Sequence, residues 1–236
     1  MIRIITAYPN LLNLYGDYIN AAALARYLTE SGCEAMTVPF TVGNYVNLLS
    51  ADMIYIGAGT ERRMLAALDD FRRFFDELFQ YVDGGGLVLA TGSAACLLGR
   101  NVTDIAGHCH EAAGILDIEA FDIGKRRYSE LLMRCGLDES PVIGNVNSSL
   151  SVKWRDPAFF EIRKQSGNLT FKTEGAVKHN VFATEVSGPL LLRNPRLLHT
   201  FAERLADRTL PENDNDWVRK AYAGYHAALE TLSNEL

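Results

Sequence analysis

The stretch from Gly86 to Gly99 carries the pattern from which nucleophilic chemistry is built, with one residue out of place. The apolar run Leu87-Val88-Leu89-Ala90 passes through Thr91 into Gly92-Ser93-Ala94-Ala95-Cys96. A buried strand that turns so sharply into a helix is a nucleophile elbow, which holds one side chain exposed at the carboxyl end of a parallel sheet to attack a carbonyl. That side chain belongs at position 92, and position 92 is glycine. The scaffold of an enzyme is present without its attacking group. Two neighbours are the substitutes to weigh. Ser93 follows directly but would point about 100° further round the start of the helix. Cys96 lies one turn on, where packing between helix and sheet makes a thiol a small inert hydrophobe.

Other residues with chemical potential are weaker. Gly57-Ala58-Gly59 follows a strand-like run and precedes a helical one, so its amides either face a ligand or form a plain tight turn. Gly84-Gly85-Gly86 opens no helix, which favours a chain reversal over phosphate binding. His108-Cys109-His110 is poor zinc spacing without a second ligand pair; a surface loop is expected there, and no metal site. His179 reads as an exposed loop histidine. Trp217, Ala221, Tyr225, Ala228, Leu229 and Leu232 recur at helical spacing, a stripe that docks on the chain's own core or forms a partner surface.

The elements that must position these residues follow from periodicity. Ile2–Thr6, Glu34–Phe40, Asp52–Ile56 and Leu87–Thr91 read as strands. Asp17 is placed to cap a helix to about Glu30, and Glu61–Tyr81 reads as one long helix ended by the three glycines. This alternation predicts a doubly wound, mostly parallel α/β sheet with helices on both faces. Beyond Ile105 the pattern shortens: Ile115–Ala120, Ser129–Met133, Val142–Asn145 and Ser149–Trp154 read as an antiparallel elaboration. Asn180–Thr184 is a further strand, and Asn194-Pro195 opens a helix to about Asp207. An acidic turn, Pro211–Asp216, precedes a last helix at about 217–232. One domain, 1–236, is expected.

Composition narrows the classes. With 236 residues and 48% hydrophobic content the chain can bury a sizeable core. No apolar run approaches the roughly 18 residues of a membrane span. A net charge of −6 without a Lys/Arg block argues against nucleic acid and anionic membrane surfaces. Cys33, Cys96, Cys109 and Cys135 are scattered, the pattern of reduced thiols in a cytoplasmic protein.

Several segments in order resemble one family, the class I (triad-type) glutamine amidotransferases. The likeness is to the branch shared by cobyric acid synthase and the glutaminase subunit of lipid II isoglutaminyl synthase. Leu11-Leu12-Asn13-Leu14-Tyr15-Gly16-Asp17 with Asn20 resembles that subunit's opening motif, and Ile56-Gly57-Ala58-Gly59-Thr60-Glu61-Arg62 its glycine loop. Val181-Phe182-Ala183-Thr184 through Gly188-Pro189, then Asn194-Pro195, is similar to the segment carrying the catalytic histidine. Laid on the family pattern, the nucleophile position is Gly92, the nearby glutamine position is Cys96 and the histidine position is Ser187. A third segment, Gly144-Asn145-Val146-Asn147-Ser148, is also eroded. Arg127, in the run Lys125-Arg126-Arg127, falls near a family arginine and is either an anion-holding residue or part of a solvated charge run.

In the family, a thiolate attacks the glutamine amide to give a thioester. A histidine activates the thiol and protonates the leaving ammonia, while backbone amides near the glycine loop and elbow hold the oxyanion. Gly92 and Ser187 can do neither job. The resemblance therefore implies a protein without glutaminase activity that binds a partner, the family's partner being a Mur-ligase-type synthetase. Changed chemistry in the same pocket, through Ser187, Glu185, Ser93 or Cys96, is the alternative, as is an active glutaminase if the alignment fails. Glutamine or a related small molecule remains a candidate ligand, with Gly57, Ala58, Gly59 and Arg127 as the residues to hold it. Self-association stays open, and no cofactor is called for.

Overall fold

A computed structural model describes residues 1–170, 172–212 and 216–231, with side chains from 219 onward in the last of these segments. The acidic turn falls partly, and Trp217 and Leu232 as packing residues wholly, outside what is described.

β1 (Ile2–Ala7), α1 (Ile19–Glu30), β2 (Ala35–Phe40) and β3 (Met53–Ile56) come first. α2 (Glu61–Phe71) and α3 (Phe75–Asp83) then lead to β4 (Leu87–Thr91). An excursion follows: β5 (Asn101–Thr103), β6 (Cys109–Glu111), β7 (Ile118–Cys135), β8 (Asp138–Trp154), β9 (Phe160–Gly167) and β10 (Thr173–Glu174). The chain returns through β11 (Ala176–Lys178) and β12 (Val181–Thr184) to α4 (Leu190–Arg193), α5 (Pro195–Ala206) and α6 (Asp216–Glu230).

The first sheet has the order β11-β12-β4-β3-β1-β2 and is parallel except for β11. Strands buried on both faces read as continuous apolar runs, which is why β3 and β4 are legible. Their side chains still divide by alternation. Ile5, Ile54, Ile56, Val88 and Ala90 pack with Met64, Leu68 and Phe71 of α2. Ile4, Met53, Tyr55, Leu87 and Leu89 pack with Leu24 and Leu28 of α1 and Phe201 of α5. The second sheet, β10-β9-β7-β5-β6 with β8 on β7, supplies Ile118 and Ala120 to the former cluster and Leu131 and Met133 to the latter.

Four element readings are corrected. Glu61–Tyr81 is not one helix: Arg72–Phe74 tightens into a 3-10 turn between α2 and α3. That turn carries both Phe71 and Phe74 inward, the latter 5.1 Å from the Phe40 ring centroid. Helical spacing brings these rings together with or without the tightening, so periodicity does not register it. The elbow continues into a 3-10 helix, Gly92–Leu98, whose seven residues are all buried. The four short antiparallel strands are halves of two long ones, β7 and β8, whose register breaks between Asp122 and Arg127. Cys109 and His110 lie on β6 rather than in a loop, and β9 was not foreseen.

α6 lies on the second sheet, with Tyr222, Tyr225 and Leu229 against Leu132 and Ile143, whereas Ala221 and Ala228 face outward. Of its stripe, then, Tyr225 and Leu229 dock on the chain's own core. Among the described residues no helix is long and apolar enough to cross a membrane, and no group of three or more His, Cys, Asp or Glu is placed to hold a metal ion.

Asn20 joins the layers near the carboxyl rim of the first sheet. Its amide nitrogen donates to Tyr55 Oη at 2.9 Å and to the Gly188 carbonyl at 3.0 Å, and its carbonyl accepts from Leu191 N at 2.7 Å. Asn20→Ala takes the acceptor from the buried Leu191 N–H and one donor each from Tyr55 Oη and the Gly188 carbonyl. Urea unfolding is expected to show a loss of about 2–4 kcal/mol, against less than about 0.5 kcal/mol for the exposed control Ala22→Ser.

Candidate functional site

The loops following β1, β3, β4 and β12 meet at the carboxyl rim of the first sheet, and a carboxylate organises them. Tyr15 and Gly16 both take positive φ, 59° and 71°, which turns the chain so that Asp17 points inward. Asp17 is fully buried and accepts from Ala58 N at 2.5 Å and from Thr91 Oγ1 at 2.5 Å. It is therefore not the cap of α1. Tyr18 holds that place without a side-chain bond, and Asn13 Oδ1 accepts from Tyr18 N at 2.9 Å. Burial pushes the Asp17 carboxyl up to about 7 against the lowering effect of its donors.

The two positions assigned to nucleophile and base are neighbours. Gly92 has φ +59°, the left-handed backbone of an elbow, and its N–H donates to Val186 O at 3.0 Å. A Cβ built on Gly92 would stand 3.3 Å from Ser187 Cβ. It would also drive into the methyl of Ala58, closer than any real contact allows. The space that a side chain at position 92 would need is thus filled by the glycine loop. Ser187 is 5% exposed, anchored by its N–H to Asn145 O at 3.1 Å, and its Oγ has no partner among the described residues.

The substitute nucleophiles are placed elsewhere. Ser93 Oγ donates to Gly59 O at 2.8 Å and accepts from Gly59 N at 3.0 Å, so its hydroxyl is tied to the loop. Cys96 is fully buried in the core, and burial pushes its thiol pKa well up, with Glu185 adding to the rise. The glycine-loop amides are engaged too: Ala58 N by Asp17, Gly59 N by Ser93. A Cβ at Gly57 would meet Leu12 O at 2.5 Å, so this glycine serves close packing.

Arg127 is neither solvated nor open. Its Nη2 donates to Glu185 Oε1 at 2.5 Å, and both side chains are largely buried. Arg126 instead reaches Glu61 at 3.3 Å. Glu185 is pushed up to about 7 by burial, with Arg127 pulling the other way. Glu174, absent from every sequence motif, is the third buried carboxylate here, after Asp17 and Glu185. It accepts from Thr184 Oγ1 and from Glu185 N, each at 2.5 Å, and burial pushes it up to about 8. What remains between Ala58, Gly59, Gly92, Asn147, Glu185 and Ser187 is a cavity of about 10 Å³, room for a single water. That is less room than a glutamine side chain fills.

His179 is exposed in a turn with φ 54°, far from this rim, and Asp104 holds both His108 and His110, at 3.2 and 3.0 Å.

The three raised carboxyls set a pH dependence. The folded chain holds these protons more tightly than the unfolded one, so the stabilisation is complete near pH 4 and is lost as pH climbs to about 7–8. Thermal unfolding should show Tm falling from about pH 5 to about pH 8.5, with a shallower slope in Glu174→Gln; a Tm that rises with pH would contradict the assignment.

Comparison with known proteins bears on this geometry. The profile of the CobB/CobQ-like glutamine amidotransferase domain matches residues 3–195. A glutamine amidotransferase crystal structure superposes with TM-score 0.53 at 16% identity, covering 86% of this chain and 98% of that one. A chain of PurLQS from Thermotoga maritima gives 0.51 at 12%, covering 95% and 99%. A second Thermotoga maritima glutamine amidotransferase gives 0.51 at 8%, covering 97% and 92%. No curated protein matches the sequence. These structural likenesses speak for the fold, and the profile match spans most of the chain: it belongs to the CobB/CobQ-like glutamine amidotransferase family.

Proposed function

We propose that this chain is a glutamine amidotransferase-like protein without glutaminase activity, acting as a binding or regulatory partner of a synthetase. The observation that carries the reading is the Ala58 methyl standing where a side chain at Gly92 would have to go. A lost nucleophile alone could be restored by one substitution. A filled nucleophile site means that the glycine loop has closed over the loss. Ser187 in the base position and the single-water cavity point the same way. Loss of either member of a nucleophile–base pair costs on the order of 10⁶-fold in the hydrolase comparison.

The finer identity we propose is a relative of the glutaminase subunit of lipid II isoglutaminyl synthase, with a Mur-ligase-type synthetase as the partner. Support comes from the opening motif, whose Asp17 and Asn20 make the rim's hydrogen bonds, and from the likeness to a chain of PurLQS. A cytoplasmic setting belongs to the same proposal, since all four cysteines are free.

Glutamate release from glutamine is expected to stay at background, alone and with added synthetase. Gly92→Cys/Ser187→His should remain silent and lose about 1–3 kcal/mol through overpacking on Ala58. Adding Ala58→Gly to that pair should recover much of the stability. Turnover in the unaltered chain would overturn the loss of activity, and a Gly92→Cys chain as stable as the parent would remove the filled nucleophile site as its reason. Co-elution with a purified Mur-ligase-type synthetase in size-exclusion chromatography is expected; separate elution would remove the partner while leaving the inactive site standing.

A further inference from the structure

α1, α4, α5 and α6 enclose a groove of about 470 Å³ that shares no lining residue with the rim cavity. Its walls are apolar: Ala23 and Tyr27 from α1, Leu192 from α4, Pro195 and Leu198 from α5, and Tyr222 from α6. That volume lies within the range of roughly 300–1,000 Å³ typical of small-molecule sites. The floor is held in place. Tyr27 Oη donates to Pro211 O at 2.8 Å and lies 2.7 Å from His199 Nδ1, while His199 Nε2 is 3.2 Å from Glu203.

The groove's charge runs against that of the chain. Arg26, Arg196 and Arg219 border it, against Glu30 and Glu212, on a protein with a net charge of −6. Arg26 pairs with Glu30, and Arg196 with Glu212, in ion pairs open to solvent, and a second nitrogen of Arg196 lies 3.4 Å from Asp138. Exposed pairs of this kind contribute little to stability, so an incoming anion can displace the glutamate at little cost. A preformed apolar trough with guanidinium groups at its rim combines two selections, one for an apolar body and one for a negative head.

We propose that the groove between α1, α5 and α6 binds a small amphipathic anion, its alkyl chain or aromatic ring against the apolar walls and its carboxylate or phosphate at the arginine rim. A lipid-derived acid and a free aryl acid share this chemistry. The full chain would be titrated calorimetrically with dodecanoate below its micelle concentration and with 1-naphthoate. Dodecyltrimethylammonium serves as the cationic twin and acetate as the head alone.

Saturable one-to-one binding of at least one of the two acids is expected, with none for the cation or for acetate. Whichever acid saturates identifies the body as chain or ring. Ala23→Phe should abolish binding by filling the trough, and Leu192→Trp, at a half-exposed position, repeats the test if the first variant is poorly folded. Arg26→Gln and Arg219→Gln should each weaken binding about two- to fivefold. Absence of saturable binding by both acids, equal binding of the cation, or affinity unchanged in a folded blocking variant would overturn the proposal.

Discussion

A carboxylate removed from water must be met by donors on every side, and Asp17 imposes that demand on the first sheet's rim. Ala58 N and Thr91 Oγ1 answer it, so the loop after β3 and the last residue of β4 are fixed relative to each other. Tyr55 Oη bridges to Thr91 Oγ1 at 2.8 Å and donates to Asp17 O at 2.9 Å, and Asn20 carries the network on to the segment after β12. Such a network leaves little freedom in the position of Ala58. That is why the clash at Gly92 is a property of the site and not of one soft side chain.

Around this fixed point, geometry and chemistry have separated. The elbow keeps its left-handed backbone, and positions 92 and 187 still face each other. On the proposed reading the reactive atoms are absent, and three internal contacts stand where ligand contacts would be. The Ala58 methyl fills space, Ser93 occupies a loop amide, and Glu185 gives Arg127 an internal carboxylate. A buried ion pair is weak evidence for stability, since desolvation offsets most of its attraction. Here it joins β7 of the second sheet to the loop after β12 of the first, in one orientation.

Much of the first sheet was legible in the sequence because its inner strands are short apolar runs bounded by turn residues, as Met53–Ile56 and Leu87–Thr91 show. The pairing of positions 92 and 187 was reached through resemblance, not through spacing. The rest was hidden for identifiable reasons. Asp17 has the sequence context of a helix cap, and only the positive φ of Tyr15 and Gly16 redirects it. Ala58 is a small residue in a glycine loop, and nothing local says that its methyl faces Gly92, just past the end of another strand. β9 mixes charged and apolar side chains without clean alternation, so Phe160–Gly167 lacks a strand signature. Glu174 sits on a two-residue strand and owes its burial entirely to distant packing.

The placing of β12 bears on how the chain is made. β12 lies beside β4, with Val181 opposite Val88, yet the whole second sheet is inserted between them in sequence. Until the ribosome has released β12, β4 is the outer strand of an unfinished sheet. All five of its side chains are of the kind that ends up fully covered. An apolar, uncharged edge is a template for pairing with a neighbouring chain, and pairings so distant in sequence form late. The long β7–β8 hairpin, closed by neighbours in sequence, can form first and shorten the wait. Synthesis of this protein thus passes through an interval in which its best-hidden strand is its most exposed.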